Sequence, residues 1–123
     1  MTDRLGQLFF MGIEGTTLKP EESAFIAKEN IGGVVLFARN IESPQQIHRL
    51  CSEIQSLRHQ QKDKYPLFIG IDMEGGRVAR LKAPFTQWPP LAKLGELDST
   101  SAAFKFALDM GSELKAVGIN LDF

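Results

Sequence analysis

The chain of 123 residues carries 14 Lys+Arg against 15 Asp+Glu, a net charge of −1, with 43% hydrophobic and 24% charged residues. This is the composition of one soluble globular domain at most, and its dispersed charges give no basic footprint for nucleic acid or for an anionic membrane surface. No apolar run approaches the ~20 residues of a membrane-spanning helix, Met1-Thr2-Asp3-Arg4-Leu5-Gly6 lacks the form of a signal peptide, and one cysteine cannot form an internal disulfide, so the expected location is the cytoplasm.

The apolar run Leu8–Ile13, closed by Glu14-Gly15, reads as a first strand, with Glu14 as a solvated loop acid. Pro20 followed by Glu21 and Glu22 opens a helix predicted to run to Lys28, because proline suits the first turn and acids suit the positive end of the helix dipole. Asn30-Ile31-Gly32-Gly33 turns the chain into Val34–Ala38, a continuously apolar second strand ending in Arg39 and Asn40. These two are candidates to face a site at the strand end, with capping as the structural alternative for Asn40. Ser43-Pro44-Gln45-Gln46 has the form of a capping box, and Ile47, Leu50, Cys51, Ile54 and Leu57 recur behind it at helical spacing. Cys51 falls on that apolar stripe and reads as a buried structural thiol. His48 and His59 lie on the polar side, eleven residues apart, and carry no predicted chemistry.

Phe68-Ile69-Gly70-Ile71 then runs without polar alternation into Asp72-Met73-Glu74-Gly75-Gly76-Arg77-Val78-Ala79-Arg80. A buried parallel strand fits the run, and side chains two apart on a strand share a face, so Asp72 and Glu74 are predicted to point the same way. At the C-terminal end of a parallel strand such a carboxylate can accept hydrogen bonds from ligand hydroxyls, with Arg77 and Arg80 keeping it ionised or donating themselves. A purely structural ion network is the alternative. Leu81–Pro90 reads as a proline-punctuated loop in which Trp88 packs on the body of the domain. Asp98 or Ser99 caps a further helix whose apolar side takes in Phe104, Phe106, Leu108, Met110, Leu114 and Val117. Ile119–Phe123 begins another strand.

The order strand, helix, strand, helix, strand, loop, helix, strand is a run of βα units, which implies a parallel sheet with right-handed crossovers. The chain stops on a strand with no helix to cover it, so the expected architecture is the first portion of something larger, about four strands of a (β/α)8 barrel that needs ~250 residues. A small flavodoxin-like binding domain is the competing fold. No metal-ligand cluster, phosphate-cradling glycine loop or dinucleotide fingerprint is present, so no metal and no cofactor are expected.

Gly32-Gly33-Val34-Val35-Leu36-Phe37-Ala38-Arg39-Asn40, then Ile71–Arg80, Phe85-Thr86-Gln87-Trp88-Pro89-Pro90 and the terminal Asn120-Leu121-Asp122-Phe123 resemble, in order and spacing, the N-terminal barrel domain of glycoside hydrolase family 3. Within it the likeness is greatest to the single-domain bacterial β-N-acetylhexosaminidases of peptidoglycan recycling. Met73, Ala79 and Trp88 are small departures. The resemblance covers essentially residues 1–123 and implies a TIM-like barrel that removes terminal β-linked N-acetylglucosamine by a retaining two-step mechanism, acting on a carbohydrate partner. It implies that Asp72 and Arg80 bind the sugar, with Glu74 and Arg77 in support; Arg39 and Asn40, at the preceding strand end, are supporting candidates from their position. The family's aspartate nucleophile and histidine-aspartate acid/base pair find no match within residues 1–123, so this chain alone is expected to be inactive. Asp72 and Glu74 do not replace them. Two acids leaving one strand in parallel, roughly 6.5 to 7 Å apart, cannot lie on opposite sides of an anomeric centre. β-Glucosidase or β-xylosidase specificity, and a non-catalytic truncated product, are the alternatives within the resemblance.

Overall fold

The computed structural model describes residues 2–123, so Met1, where the signal-peptide reading starts, lies outside it. Four short strands form one parallel sheet: β1 (Phe10–Gly12), β2 (Gly33–Leu36), β3 (Phe68–Ile71) and a last strand, β6 (Leu121–Asp122). Between β3 and β6 a separate antiparallel hairpin pairs β4 (Met73–Gly75) with β5 (Val78–Ala79). The helices are α1 (Pro20–Lys28), α2 (Pro44–Ser56), α3 (Ala92–Leu97) and α4 (Thr100–Ala116).

The parallel strands lie side by side in the order in which they occur in the chain, β1-β2-β3-β6. Such a sheet has no point at which strand order reverses, and that reversal defines the doubly wound folds. The flavodoxin-like alternative is therefore excluded, and an in-order winding that leaves one sheet face to the helices is the geometry of a barrel arc. On the helix-covered face Val34, Leu36, Ile69 and Ile71 are fully buried with Ile26 of α1 and Ile47, Leu50 and Ile54 of α2. The opposite face is different. Phe10, Gly33 and Phe68 share one register row, and the Phe10 and Phe68 rings stack with centroids 5.8 Å apart. A Cβ on Gly33 would come within 2.5 Å of the Phe10 ring, and one on Gly70 within 2.7 Å of the Phe123 ring. The glycines thus make room for aromatic rings laid across the strands. Those rings remain 39%, 53% and 56% exposed at Phe10, Phe68 and Phe123.

The helix signals act as expected at α2. Ser43 Oγ accepts the Gln46 N–H at 3.1 Å. The Gln46 side chain reaches back one residue further than a capping box, accepting from Glu42 N and donating to the carbonyls of Thr16 and Asn40. At α1 the Glu22 carboxylate accepts from the backbone of Lys19 at the cap and of Glu14 in the loop after β1, tying that loop to the helix start. Cys51 is buried, and burial pushes its thiol up to about 12.

Several expectations are corrected. Thr2–Leu8 is a 3-10 helix, so the first strand is only Phe10–Gly12. The strand expected to run through Glu74 ends at Ile71, and Asp72 is the joint between sheet and hairpin. The short helix α3 was not anticipated. Ser99, not Asp98, caps α4, its side chain accepting from Ala102 N, while Asp98 ends α3 in the left-handed region at φ 44°. On α4 only Phe106, Met110, Leu114 and Val117 turn inward, whereas Phe104 and Leu108 are 71% and 55% exposed. A helix docked on one side buries a stripe spaced by three and four residues, and 106, 110, 114 and 117 follow it.

Candidate functional site

Polar side chains gather where β3 leaves the sheet. Gly75 and Gly76 both take positive φ, 84° and 59°, and turn β4 into β5. Because Met73 pairs with Ala79 in an antiparallel register, the residues just beyond them, Asp72 and Arg80, face one another. Arg80 Nη2 donates to Asp72 Oδ2 at 3.2 Å, with the two side chains 31% and 29% exposed. The eight-residue spacing in the sequence is thus the length of a hairpin. A half-exposed ion pair contributes little to stability. What it does supply is a fixed carboxylate with acceptor capacity to spare beside a guanidinium with donors beyond the one given to Asp72, in a pair about a third exposed. Such a pair can bind adjacent hydroxyls, accepting from one and donating to the next.

The hairpin is held from outside by the proline-punctuated loop. Gly76 N donates to Trp88 O at 2.9 Å, and a Cβ on Gly75 would lie 2.2 Å from Pro89 O. Trp88 in turn meets Phe106 of α4 edge to face at 5.0 Å, and Thr86 hydrogen-bonds Glu113 of the same helix. Trp88 therefore packs on the body of the domain, as its place between prolines suggested.

On its inner side the terminal strand contributes two side chains that were not predicted for the site: Asp122 holds the joint, and Asn120 bonds β3 further back, within the sheet. Asn120 Oδ1 accepts from Ile69 N at 2.7 Å, and Asp122 Oδ1 accepts from Met73 N at 2.8 Å. Both side chains take places that carbonyls fill in a regular ladder. The available signal was Asn and Asp two apart on an otherwise apolar strand, and so on one face. Partial burial raises the Asp122 pKa above its ordinary value, the N–H groups of Met73 and Phe123 pull it down, and the charges of Asp72 and Glu74 add to the rise.

The remaining predicted residues separate. Asn40 is fully buried: its Oδ1 accepts from Phe37 N, and its Nδ2 donates to the carbonyls of Ile13 and Gly15. It ties the end of β2 to the loop after β1. Arg39 donates from Nε to Ile13 O at 3.0 Å and lies over the Phe37 ring at 4.6 Å. Glu14 is an exposed loop acid paired with Lys19, whose hydrogen bond and charge lower its pKa. Glu74 and Arg77 are exposed on the hairpin and form no ion pair among the described residues. A cleft of about 110 Å³ beside Arg80 runs between Ile41, Pro44, Lys82 and Phe85. A larger apolar groove of about 530 Å³, lined by Leu5, Phe9 and Phe25, lies at the other end of the strands. Among the described residues no His, Cys, Asp and Glu cluster could hold a metal, and no helix is long and apolar enough to cross a membrane.

An in-order parallel sheet with covering helices, carrying its charged groups beyond the strands' C-terminal ends, has the geometry of an arc of an α/β barrel. A family model described as the glycosyl hydrolase family 3 N terminal domain matches residues 1–123. The chain belongs to that family. It is 39% identical, over 97% of its length, to a β-hexosaminidase of Nitrosomonas eutropha, of which it covers 34%. Among solved structures it superimposes on a family 3 β-N-acetylglucosaminidase from Paenibacillus with a TM-score of 0.91 at 35% identity, covering 100% of this chain and 23% of that one. It also matches NagZ from Neisseria gonorrhoeae, solved in complex with N-trifluoroacetyl-D-glucosamine, with a TM-score of 0.79 at 35% identity over 93% of this chain and 34% of that one. The chain thus spans about a third of the length of the curated relatives it matches.

Proposed function

We propose that these residues are part of a retaining β-N-acetylhexosaminidase of the cytoplasm, which removes terminal β-linked N-acetylglucosamine from muropeptide-type or chitooligosaccharide substrates. In this reading Asp72 and Arg80 bind sugar hydroxyls in the terminal subsite, and the nucleophile and acid/base are supplied by polypeptide following residue 123. The observation that carries it is the Asp72–Arg80 pair at the end of a barrel strand, about a third exposed, with carboxylate and guanidinium hydrogen-bonding capacity beyond the one bond between them. The exposed aromatic face of the sheet supports the larger assembly, since Phe10, Phe68 and Phe123 line the side that a closed barrel covers. Support for the sugar comes from the relatives, which are named β-hexosaminidases, and from the glucosamine derivative bound by the gonococcal protein.

The test is hydrolysis of an aryl N-acetyl-β-glucosaminide beside the matching aryl β-glucoside and β-xyloside. The complete polypeptide is expected to cleave the first, and residues 1–123 alone none of them. Preference for the glucoside or xyloside would replace the proposed substrate class, and turnover by residues 1–123 alone would place the chemistry inside this chain.

A further inference from the structure

Asp72 has no ladder partner of its own, yet its backbone is held on both sides. The preceding carbonyl, Ile71 O, accepts from Phe123 N at 3.0 Å, and the following N–H, Met73 N, donates to Asp122 Oδ1 at 2.8 Å. Two adjacent residues of β6 and its end thus clamp the peptide units flanking Asp72. The second clamp reaches further. Met73 is the residue that pairs with Ala79 across the hairpin, so fixing Met73 fixes the pair next to which Asp72 and Arg80 face each other.

We infer that Asp122 is a positioning residue for the Asp72–Arg80 pair, acting through its hydrogen bond to the Met73 N–H. Its carboxylate replaces the carbonyl that a continuing strand would offer, which lets the chain leave the sheet at Asp72 without orphaning that N–H. An unpaired N–H there would drift toward water or another acceptor, and Asp72 and the hairpin carrying Arg80 would move with it. Asn120 provides an internal comparison. It makes the same kind of bond two residues earlier, to Ile69 N, inside the regular sheet and away from the pair. If Asp122 mattered only as a structural bond, losing either would have the same effect.

The inference rests on the sugar-binding reading of Asp72 and Arg80. It is tested in the complete polypeptide with Asp122→Ala, Asp122→Asn, Asn120→Ala and Asp72→Asn, reading KM and kcat for the aryl N-acetyl-β-glucosaminide together with thermal midpoints. Asp122→Ala is expected to raise KM about tenfold, the scale of one lost hydrogen bond to a charged group. Asp122→Asn keeps an acceptor oxygen and is expected to stay within about threefold of wild type, well inside that scale. Asn120→Ala is expected to lower the thermal midpoint as Asp122→Ala does while leaving KM unchanged. An unchanged KM in Asp122→Ala, an equal rise in Asn120→Ala, or no rescue by Asp122→Asn would each overturn the inference. Should Asp122→Ala not fold, Asp122→Glu, which displaces the acceptor by one methylene, is read in its place with the same expectation for KM. Asp72→Asn separates the two levels: no effect there defeats the sugar-binding reading itself, whereas a strong effect beside a neutral Asp122→Ala defeats only the positioning role.

Discussion

Asp72 and Arg80 stand opposite each other as the first residues beyond the Met73–Ala79 pair of an antiparallel hairpin, with Arg80 Nη2 3.2 Å from Asp72 Oδ2. The hairpin makes an i, i+8 charge pair out of a motif that reads in sequence as a strand followed by a loop. It also places the pair beyond the C-terminal end of β3, where barrel folds keep their ligands.

Asp72→Asn keeps the shape of the side chain and removes its charge. It is expected to weaken substrate binding by roughly 10- to 100-fold, the range for a hydrogen bond to a charged group. A covalent glycosyl intermediate should still be trappable in this variant with a slow-leaving mechanism-based substrate. Mass spectrometry checks it, and failure to form any intermediate would move Asp72 into the bond-breaking chemistry.

Asn40→Ala removes three hydrogen bonds from a fully buried position and leaves Phe37 N and Gly15 O without their partner. The expected loss of stability is about 2 to 4 kcal/mol, at the upper end of single substitutions. Asn40→Asp should not rescue it, since a carboxylate cannot donate to the two carbonyls. Urea denaturation of the three proteins measures both differences.

Gly75→Ala places a side chain on a residue at φ 84° and a Cβ 2.2 Å from Pro89 O. The substitution is expected to cost about 2 kcal/mol or more, from backbone strain and steric overlap together. Trp88 is the only tryptophan within residues 1–123 and lies beside the overlap, so its fluorescence should report loop displacement before global unfolding. An emission spectrum and midpoint matching wild type would contradict the packing described for this hairpin.

Two carboxylates should give the stability profile opposite slopes. Burial raises the folded-state pKa of Asp122, so its contribution is fully present below the ordinary value of 3.8 and is lost as pH rises through the folded value. The hydrogen bond from Lys19 lowers that of Glu14, so its contribution is present above the ordinary 4.5 and is lost as pH falls through the folded value. Denaturation from about pH 3 to 6, spanning the ordinary carboxylate range, should show wild type gaining on Asp122→Asn as pH falls and losing its advantage over Glu14→Gln.

Much of the fold was legible because it depends on local signals. Val34–Leu36 and Phe68–Ile71 are apolar on both faces and became the two central strands, and Ser43-Pro44 with its helical stripe became α2. The failures lie where a distant residue decides. Nothing near Asp72 ends β3 there; the Asp122 carboxylate, 49 residues on from Met73, takes the N–H that would have continued the ladder. Leu8 and Phe9 open the run that reads as a strand, yet the 3-10 helix ends only at Leu8, β1 begins at Phe10, and both remain exposed. Phe104 and Leu108 are apolar at helical spacing but have no packing partner on their side of α4 among the described residues. In the site, the Asp72–Arg80 pair and the local cap of Phe37 N by Asn40 could be anticipated, whereas the bonds from Asn40 to Ile13 and Gly15 and the clamp by Asp122 could not, because these are tertiary hydrogen bonds.

The most direct test of the account is the dissociation constant of N-acetylglucosamine for the complete polypeptide, measured by calorimetry against its Arg80→Ala and Asp72→Asn variants at equal thermal stability. Both variants are expected to bind more weakly by a similar factor, since one geometry presents both groups to the same sugar. Undiminished affinity in both would mean that the pair serves the hairpin alone and that the sugar is bound elsewhere.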